Sequence, residues 1–185
     1  MTVGSFAAVR SSRALALGTG VRIAACPPIL ALLLAHDWTA AAIVFVIAAA
    51  TDFVDGRLAR HWEMTTRLGG FLDTTADKLL VSTALIGLLA VHRASAWVVF
   101  VIVAREFTLL GLRAAVAAGG AQLETSMFGK WKASLQFLAI ALAIVRPQVL
   151  IVGAYLDQWL MVLAAVVTVW SGFEYLRGSI DALRG

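Results

Sequence analysis

Four aspartates in the middle of the chain have the residue type and spacing of a metal-dependent site. They lie in the stretch DFVDGRLARHWEMTTRLGGFLDTTADK, which runs from Asp52 to Lys78. Asp52 and Asp55 are three residues apart, and Asp73 and Asp77 are four residues apart. Either spacing puts both carboxylates of a pair on one face of a helix. If the two helices are antiparallel neighbours, the four carboxylates form a cage.

Four like charges in one place need compensation, most of all at the edge of an apolar region. Mg²⁺ takes oxygen ligands in near-octahedral geometry and works with substrate phosphates, and two such ions can share four carboxylates. The alternative is a solvated ion-pair network between these acids and the basic residues nearby, which are Arg57, Arg60, Arg67 and Lys78. The cost of such a cluster beside apolar helices favours the metal site.

Small residues lie beside the carboxylates. Gly56 directly follows Asp55, and Ala59 lies about one turn further along the same helix. This strip without bulky side chains would let a flat group such as a nucleobase approach the backbone. Gly69 and Gly70 could do the same at the start of the next helix, or they could simply end the loop.

The composition indicates a membrane protein. Of the 185 residues, 61% are hydrophobic and 14% are charged, whereas soluble domains have roughly 45–50% and about 25%. The uncharged runs are shorter than the ~18 residues that would alone indicate a span, so the spans must include charged residues. A soluble all-helical protein with apolar core helices is the alternative.

We expect an all-α, polytopic membrane protein with six transmembrane helices. A cytoplasmic N-terminal segment, residues 1–18, would precede a six-helix membrane domain, residues 19–185. The helices are predicted at about 19–35, 38–61, 70–92, 95–117, 129–146 and 149–176. Tight turns are predicted at His36–Asp37 and His92–Ala94, and the longer connections fall on the other side.

The placement of charge predicts the orientation. If the six helices cross in order, every Lys and Arg except Arg93 and Arg146 lies on the side that holds both termini. This asymmetry puts both termini in the cytoplasm, and with them the carboxylate site. No nucleic-acid motif accompanies the net charge of +4, so we expect membrane lipids and no nucleic acid as partners.

The carboxylate stretch resembles the signature of a known family. Its pattern is D-x2-D-G-x2-A-R-x8-G-x3-D-x3-D, and all eight defined positions from Asp52 to Asp77 match. On these residues the chain resembles the CDP-alcohol phosphotransferases, which are integral membrane enzymes of phospholipid synthesis. The resemblance implies a homodimer in the inner membrane, two divalent ions per site (Mg²⁺ or Mn²⁺), and displacement of CMP from a CDP-linked lipid by an alcohol.

The resemblance also implies roles for individual residues. The metal ligands would be Asp52, Asp55, Asp73 and Asp77, and Asp77 would also be the catalytic base. The CDP-lipid would be bound by Gly56, Ala59, Arg60, Thr66 and Gly69. Thr19 and Arg22 resemble the T-x-x-R pattern of the family's entry helix and would bind the CDP-lipid as well, although the Asn-Pro that usually precedes this pattern is absent.

Shorter matches resemble one branch of the family, in which CDP-diacylglycerol is the donor and glycerol 3-phosphate is the acceptor. They lie at Ala104–Phe107, Gly129–Lys132 and Trp170–Leu176. The acceptor phosphate would be bound by Arg105, Arg113 and Lys130, although the positive-inside pattern also accounts for the last two. Arg105 and Glu106 lie deeper in their helix, where charge is costly, and we expect them to pair in part with each other.

Other functions would satisfy parts of this pattern. A phosphatidylinositol phosphate synthase shares the signature and also needs a cationic acceptor pocket, and a cardiolipin synthase of the same family is a further alternative. From another class, a small cation transporter could use the four carboxylates as a transit site. The sequence has no visible internal repeat of the kind typical of transporters.

Overall fold

The computed structural model consists almost entirely of helices. It describes the backbone of residues 3–61, 67–118 and 127–184 and the side chains of residues 18–51, 71–116 and 131–177. In chain order the elements are α1 (Val3–Leu34), α2 (Trp38–His61), α3 (Arg67–Ala90), α4 (Ala96–Ala118), α5 (Met127–Val145), β1 (Leu150–Ile151), β2 (Ala154–Tyr155) and α6 (Leu156–Arg184). The prediction of an all-α fold is confirmed apart from the one short hairpin in the described residues.

Residues Met1–Gly87 form one compact unit. In it α1 packs along α2, and the buried side chains include Ile29, Leu33 and Phe45. Helices α1 and α3 approach closely at Gly87, where an added Cβ would lie 2.5 Å from Cδ1 of Leu33. The absence of a side chain at Gly87 therefore makes room for the Leu33 side chain of α1 against α3.

The turns after α1 and α3 have the same geometry. His36 (φ 61°) and His92 (φ 57°) both have left-handed backbone conformations. In each turn, the N–H groups of the histidine and of the next residue donate to carbonyls of the preceding helical turn at 2.8–3.1 Å. This is the Schellman arrangement. Asp37 then caps α2 by accepting a hydrogen bond from the Ala40 N–H at 3.1 Å, so the predicted tight turns are confirmed.

Residues Leu88–Gly185 form the second compact unit. Helix α6 packs against both α4 and α5, and the buried side chains include Ile102, Ile140 and Met161. Strands β1 and β2 pair in antiparallel fashion across Val152 (φ 48°) and Gly153 (φ 78°). Two positive φ angles are typical of a two-residue hairpin turn.

Three predicted helix boundaries were wrong, and one of them is the end of the last helix, which lies at Arg184 and not at 176. The last helix begins at Leu156 and not at 149, because the β-branched and apolar run before Gly153 favours a short hairpin. The first helix begins at Val3 and not at 19, since the intervening residues are rich in Ala, Leu and Arg, which are good helix formers. The position of residues 1–18 relative to a membrane stays a prediction.

One helical segment in the described residues, Leu156–Arg177, is long and apolar enough to cross a membrane. Only 28% of its most apolar window is buried, and the large apolar side chains that it exposes include Trp159, Val166 and Phe173. Shorter apolar segments lie at Gly18–Leu34, Trp38–Thr51 and Trp131–Val145. An outward-facing apolar helix of this kind is suited to lipid.

Candidate active site

Helix α3 carries two of the four predicted metal ligands, one turn apart. Asp77 Oδ2 lies 3.3 Å from Nζ of the neighbouring Lys78. Asp77 Oδ1 is buried and has no hydrogen-bond partner among the described residues. A buried carboxylate oxygen without a partner is costly, and it has the ligand chemistry that a hard divalent cation prefers.

Asp73, the other carboxylate on α3, is held by α1. Arg22 Nη2 lies 2.6 Å from Asp73 Oδ1, and the Arg22 side chain is fully buried. Arg22 Nη1 donates to the backbone carbonyl of Asp73 at 3.4 Å, and the Thr19 hydroxyl donates to Asp73 Oδ1 at 3.3 Å. The structure thus brings the predicted entry-helix residues onto a predicted metal ligand.

Several predicted site residues lie outside the described side chains. The backbone of α2 is helical through Asp52 and Asp55, so their three-residue spacing does fall on a helix. The other residues whose side chains are not described are Gly56, Ala59, Arg60, Thr66, Gly69 and Lys130. No group of three or more His, Cys, Asp or Glu side chains comes together within residues 18–51, 71–116 and 131–177. The four-carboxylate cage includes two aspartates beyond those ranges and stays a prediction.

Arg105 lies on α4 and is bound by α6. Its Nε donates to the Thr168 carbonyl at 3.2 Å, and its Nη2 donates to the Ser171 hydroxyl at 2.8 Å. Nη1 donates to Glu106 Oε1 at 3.2 Å, which confirms the predicted partial pairing of Arg105 with Glu106. The guanidinium is therefore fixed in place, with its side chain 17% exposed.

Arg113 lies two turns further along α4 and is exposed. Its Nε donates to the Tyr175 hydroxyl at 3.1 Å, and its guanidinium lies over the Tyr175 ring, 5.0 Å from the centroid. Arg105 and Arg113 thus contact different positions of the same helix, α6. These contacts do not show whether Arg105, Arg113 and Lys130 face one phosphate, so the predicted acceptor pocket stays a prediction.

The second partner of Glu106 was not predicted. Lys132 on α5 forms a buried ion pair with Glu106 Oε1. Both side chains are almost fully buried, at 5% and 1% exposure. The signal is present in the sequence, since charges within apolar helices need opposite partners.

A second missed network joins Arg93, Arg146 and Asp157. Arg146 Nε lies 3.3 Å from Oδ2 of the fully buried Asp157, and Arg146 Nη2 donates to the Arg93 carbonyl at 2.9 Å. Arg93 in turn donates to the carbonyl of Ile144, near the end of α5. Burial lowers the pKa of Arg93, the charge of Arg146 lowers it further, and Asp157 opposes both effects. Arg93 and Arg146 therefore connect the end of α5 to the α3–α4 turn.

Comparison with known proteins identifies the family. The CDP-alcohol phosphatidyltransferase family matches residues 16–170. A Bacillus subtilis protein named CDP-diacylglycerol–glycerol-3-phosphate 3-phosphatidyltransferase is 43% identical over 147 residues, which are 78% of this chain and 76% of that protein. A Sodalis glossinidius protein of the same name is 39% identical over 155 residues, which are 80% of this chain and 84% of that protein. The Escherichia coli K12 protein of this name is also 39% identical, over 145 residues, which are 76% of this chain and 78% of that protein. The match contains the whole signature from Asp52 to Asp77, and the chain belongs to the CDP-alcohol phosphatidyltransferase family.

Proposed function

We propose that this protein transfers the phosphatidyl group of CDP-diacylglycerol to glycerol 3-phosphate, giving phosphatidylglycerophosphate and CMP. The observation that carries the proposal is the 43% identity, over 78% of the chain, to an enzyme named for these two substrates. The described geometry agrees with it, because Asp73 and Asp77 present carboxylates on one face of α3 and Arg105 is fixed on α4.

Two Mg²⁺ or Mn²⁺ ions per site would be held by Asp52, Asp55, Asp73 and Asp77. The partnerless Oδ1 of Asp77 supports this assignment among the described residues, as does the fixed orientation of Asp73. When bound, such ions supply charge neutralisation for a diphosphate and for the departing CMP.

Asp77 would accept the proton of the attacking hydroxyl. The hydroxyl oxygen of the acceptor forms a bond to the β-phosphorus of the donor, and the bond between that phosphorus and the CMP oxygen breaks. A carboxylate is a weak base, so Asp77 takes the proton late, when the attacking oxygen has become acidic.

The CDP moiety would lie along the small-residue strip at Gly56 and Ala59, with Arg60, Thr66 and Gly69 around it. For Thr19 and Arg22, the contacts to Asp73 support a role in holding this carboxylate beside the diphosphate. They would then act on the CDP-lipid through the metal ligand.

The acceptor phosphate would be bound by Arg105, Arg113 and Lys130. Charge-assisted hydrogen bonds to phosphate favour a phosphorylated acceptor over free glycerol. Inositol phosphate would satisfy the same cations, and the names of the relatives favour glycerol 3-phosphate.

The protein would cross the inner membrane six times as a homodimer, with both termini and the active site on the cytoplasmic side. The outward-facing apolar side chains of α6 support a lipid environment, and the distribution of Lys and Arg supports the orientation. A site at this interface would let the lipid tails stay in the bilayer while only the headgroups react.

The test is an assay of the purified protein with CDP-diacylglycerol, Mg²⁺ and a panel of acceptors that includes glycerol 3-phosphate, inositol phosphate and phosphatidylglycerol. We expect CMP release with phosphatidylglycerophosphate as the lipid product, and no release by Asp77→Asn. Phosphatidylinositol phosphate as the main product would overturn the acceptor. Cation flux into vesicles without CMP release would overturn the reaction class.

A further inference from the structure

The guanidinium of Arg105 donates three hydrogen bonds within the protein and has further N–H donors. Arginine has five N–H donors. Three are used by the Thr168 carbonyl, the Glu106 carboxylate and the Ser171 hydroxyl. Among the described contacts, each terminal nitrogen therefore keeps one N–H for a ligand. Guanidinium N–H groups of this kind can bind a phosphate in a bidentate manner.

The Glu106 carboxylate pairs with two cations. Its Oε1 accepts hydrogen bonds from both Arg105 and Lys132. Buried charges persist only when they are paired, so the carboxylate is what allows these two cations to stay charged side by side. The three groups together carry a net charge of +1, which suits a site for an anion.

Helix α6 packs closely against the Arg105 side chain at Gly172. A Cβ added at Gly172 would lie 3.3 Å from Cγ and 3.4 Å from Nε of Arg105. These distances are tighter than ordinary van der Waals contact, so a larger residue would push the arginine away from its position. Gly172 therefore helps to determine where the guanidinium lies.

We propose that Glu106, with Ser171 and Gly172, is a positioning element that orients Arg105 for the phosphate of the acceptor. Glu106 acts through Arg105 and does not touch the substrate. The inference rests on the proposed function, because it takes Arg105 as the residue that binds the acceptor. It adds that the selectivity for the acceptor depends on a buried carboxylate.

The competing explanation is that Glu106 and Lys132 are only a brace between α4 and α5. A brace would affect thermal stability and would change the kinetics toward both substrates together. A positioning element would change the KM of the acceptor selectively. The two explanations therefore differ in a measurable quantity.

The first experiment compares Glu106→Gln and Glu106→Asp with the parent protein. Glutamine keeps the shape and removes the charge, so this carboxylate no longer offsets the repulsion between Arg105 and Lys132. We expect Glu106→Gln to raise the KM for glycerol 3-phosphate about tenfold or more, with the KM for CDP-diacylglycerol unchanged. Aspartate keeps the charge and should recover part of the loss. Equal changes in both KM values would overturn the proposal.

A second pair of variants covers the case in which Glu106→Gln does not fold. Gly172→Ala crowds Arg105 from α6, whereas Gly111→Ala on α4 places its Cβ in open space, with nothing within 4 Å. We expect Gly172→Ala to raise the acceptor KM and Gly111→Ala to leave it unchanged. A folded Gly172→Ala with the parent's acceptor KM would overturn the proposal.

Failure of the proposed function gives a different result. In that case the parent protein does not use glycerol 3-phosphate at all and turns over another acceptor of the panel. The same four variants are then measured with that acceptor. A selective KM effect would support the positioning element, and a uniform effect would overturn it.

Discussion

Arg22 on α1 and Asp73 on α3 form an ion pair of 2.6 Å, in which the arginine side chain is fully buried. The same guanidinium donates to the backbone carbonyl of Asp73 at 3.4 Å. It therefore holds both the carboxylate and the helix from which the carboxylate projects. A lysine ammonium is a point charge without this planar fork and could not make both contacts in the same way.

We predict that Arg22→Lys weakens metal binding while the local charge stays the same. Loss of a group that orients a metal ligand typically costs about 10–100-fold in affinity. The measurement is Mn²⁺ binding to the purified protein by electron paramagnetic resonance, without substrates. Parent-like Mn²⁺ affinity in Arg22→Lys would show that this contact does not orient a ligand.

Thr19 offers a matched pair for the same experiment. Thr19→Val removes the bond to Asp73 Oδ1, whereas Thr75→Val removes a bond from the half-buried Thr75 to the Phe71 carbonyl of its own helix. We expect a measurable loss of Mn²⁺ affinity in the first variant and none in the second.

The second prediction concerns the four-carboxylate cage. Asp52→Asn, Asp55→Asn and Asp73→Asn should each reduce turnover by orders of magnitude, because each removes a charged carboxylate that we propose as a metal ligand. A chelator should abolish activity in the parent, and Mg²⁺ should restore it. Circular dichroism and size-exclusion profiles establish that the variants remain folded. Near-normal turnover in all three would contradict a metal cage.

The local parts of this structure were predictable from the sequence. The four-residue spacing of Asp73 and Asp77 does fall on one helix, and the turns at His36 and His92 lie where charge and polarity interrupt the apolar runs. The eight-position signature was enough to identify the family. Each of these features depends on neighbouring residues or on fixed spacing.

The long-range contacts were not predictable in the same way. Arg22 lies 51 residues from Asp73, and Lys132 lies 26 residues from Glu106. Such pairs depend on which helices pack together and on their relative axial position, and helical periodicity specifies neither. The hairpin was missed because a β-branched residue, Val152, adopts a positive φ of 48°, which such residues rarely do.

A substitution at Asp77 should abolish catalysis and leave binding of the CDP-lipid intact. Asp77→Asn removes the proposed base and one metal ligand, and it leaves the side chain nearly the same size. We expect turnover to be abolished while CDP-diacylglycerol still binds, as measured by equilibrium binding of a labelled CDP-lipid in detergent. Turnover at a substantial fraction of the parent rate would mean that solvent or another group takes the proton.

The two arginines on α4 should differ in their effect on the acceptor. Arg105 is anchored by Ser171 and Glu106, whereas Arg113 is exposed and stacks on Tyr175. Arg105→Ala should therefore raise the KM for glycerol 3-phosphate far more than Arg113→Ala does, and neither should change CDP-lipid binding. Initial rates over a range of acceptor concentrations measure this. Equal effects would contradict the ranking.

The last prediction concerns stability at the network of Arg146 and Asp157. The Asp157 side chain is fully buried and its Oδ2 pairs with Arg146 Nε at 3.3 Å. Arg146→Ala leaves this carboxylate buried without its cation, which should lower the free energy of unfolding by about 3 kcal/mol. The measurement is thermal unfolding in detergent, with Gln148→Ala as a control on an exposed neighbour.

The double variant tests whether the buried charge itself is the cause. Adding Asp157→Asn to Arg146→Ala removes the buried charge that has lost its ion-pair partner, so part of the lost stability should return. The KM values of both substrates should stay unchanged below the unfolding transition, since neither residue is among those proposed to bind a substrate. If the double variant is no more stable than Arg146→Ala alone, then lost packing and the lost bond to the Arg93 carbonyl, and not the buried carboxylate, account for the destabilisation.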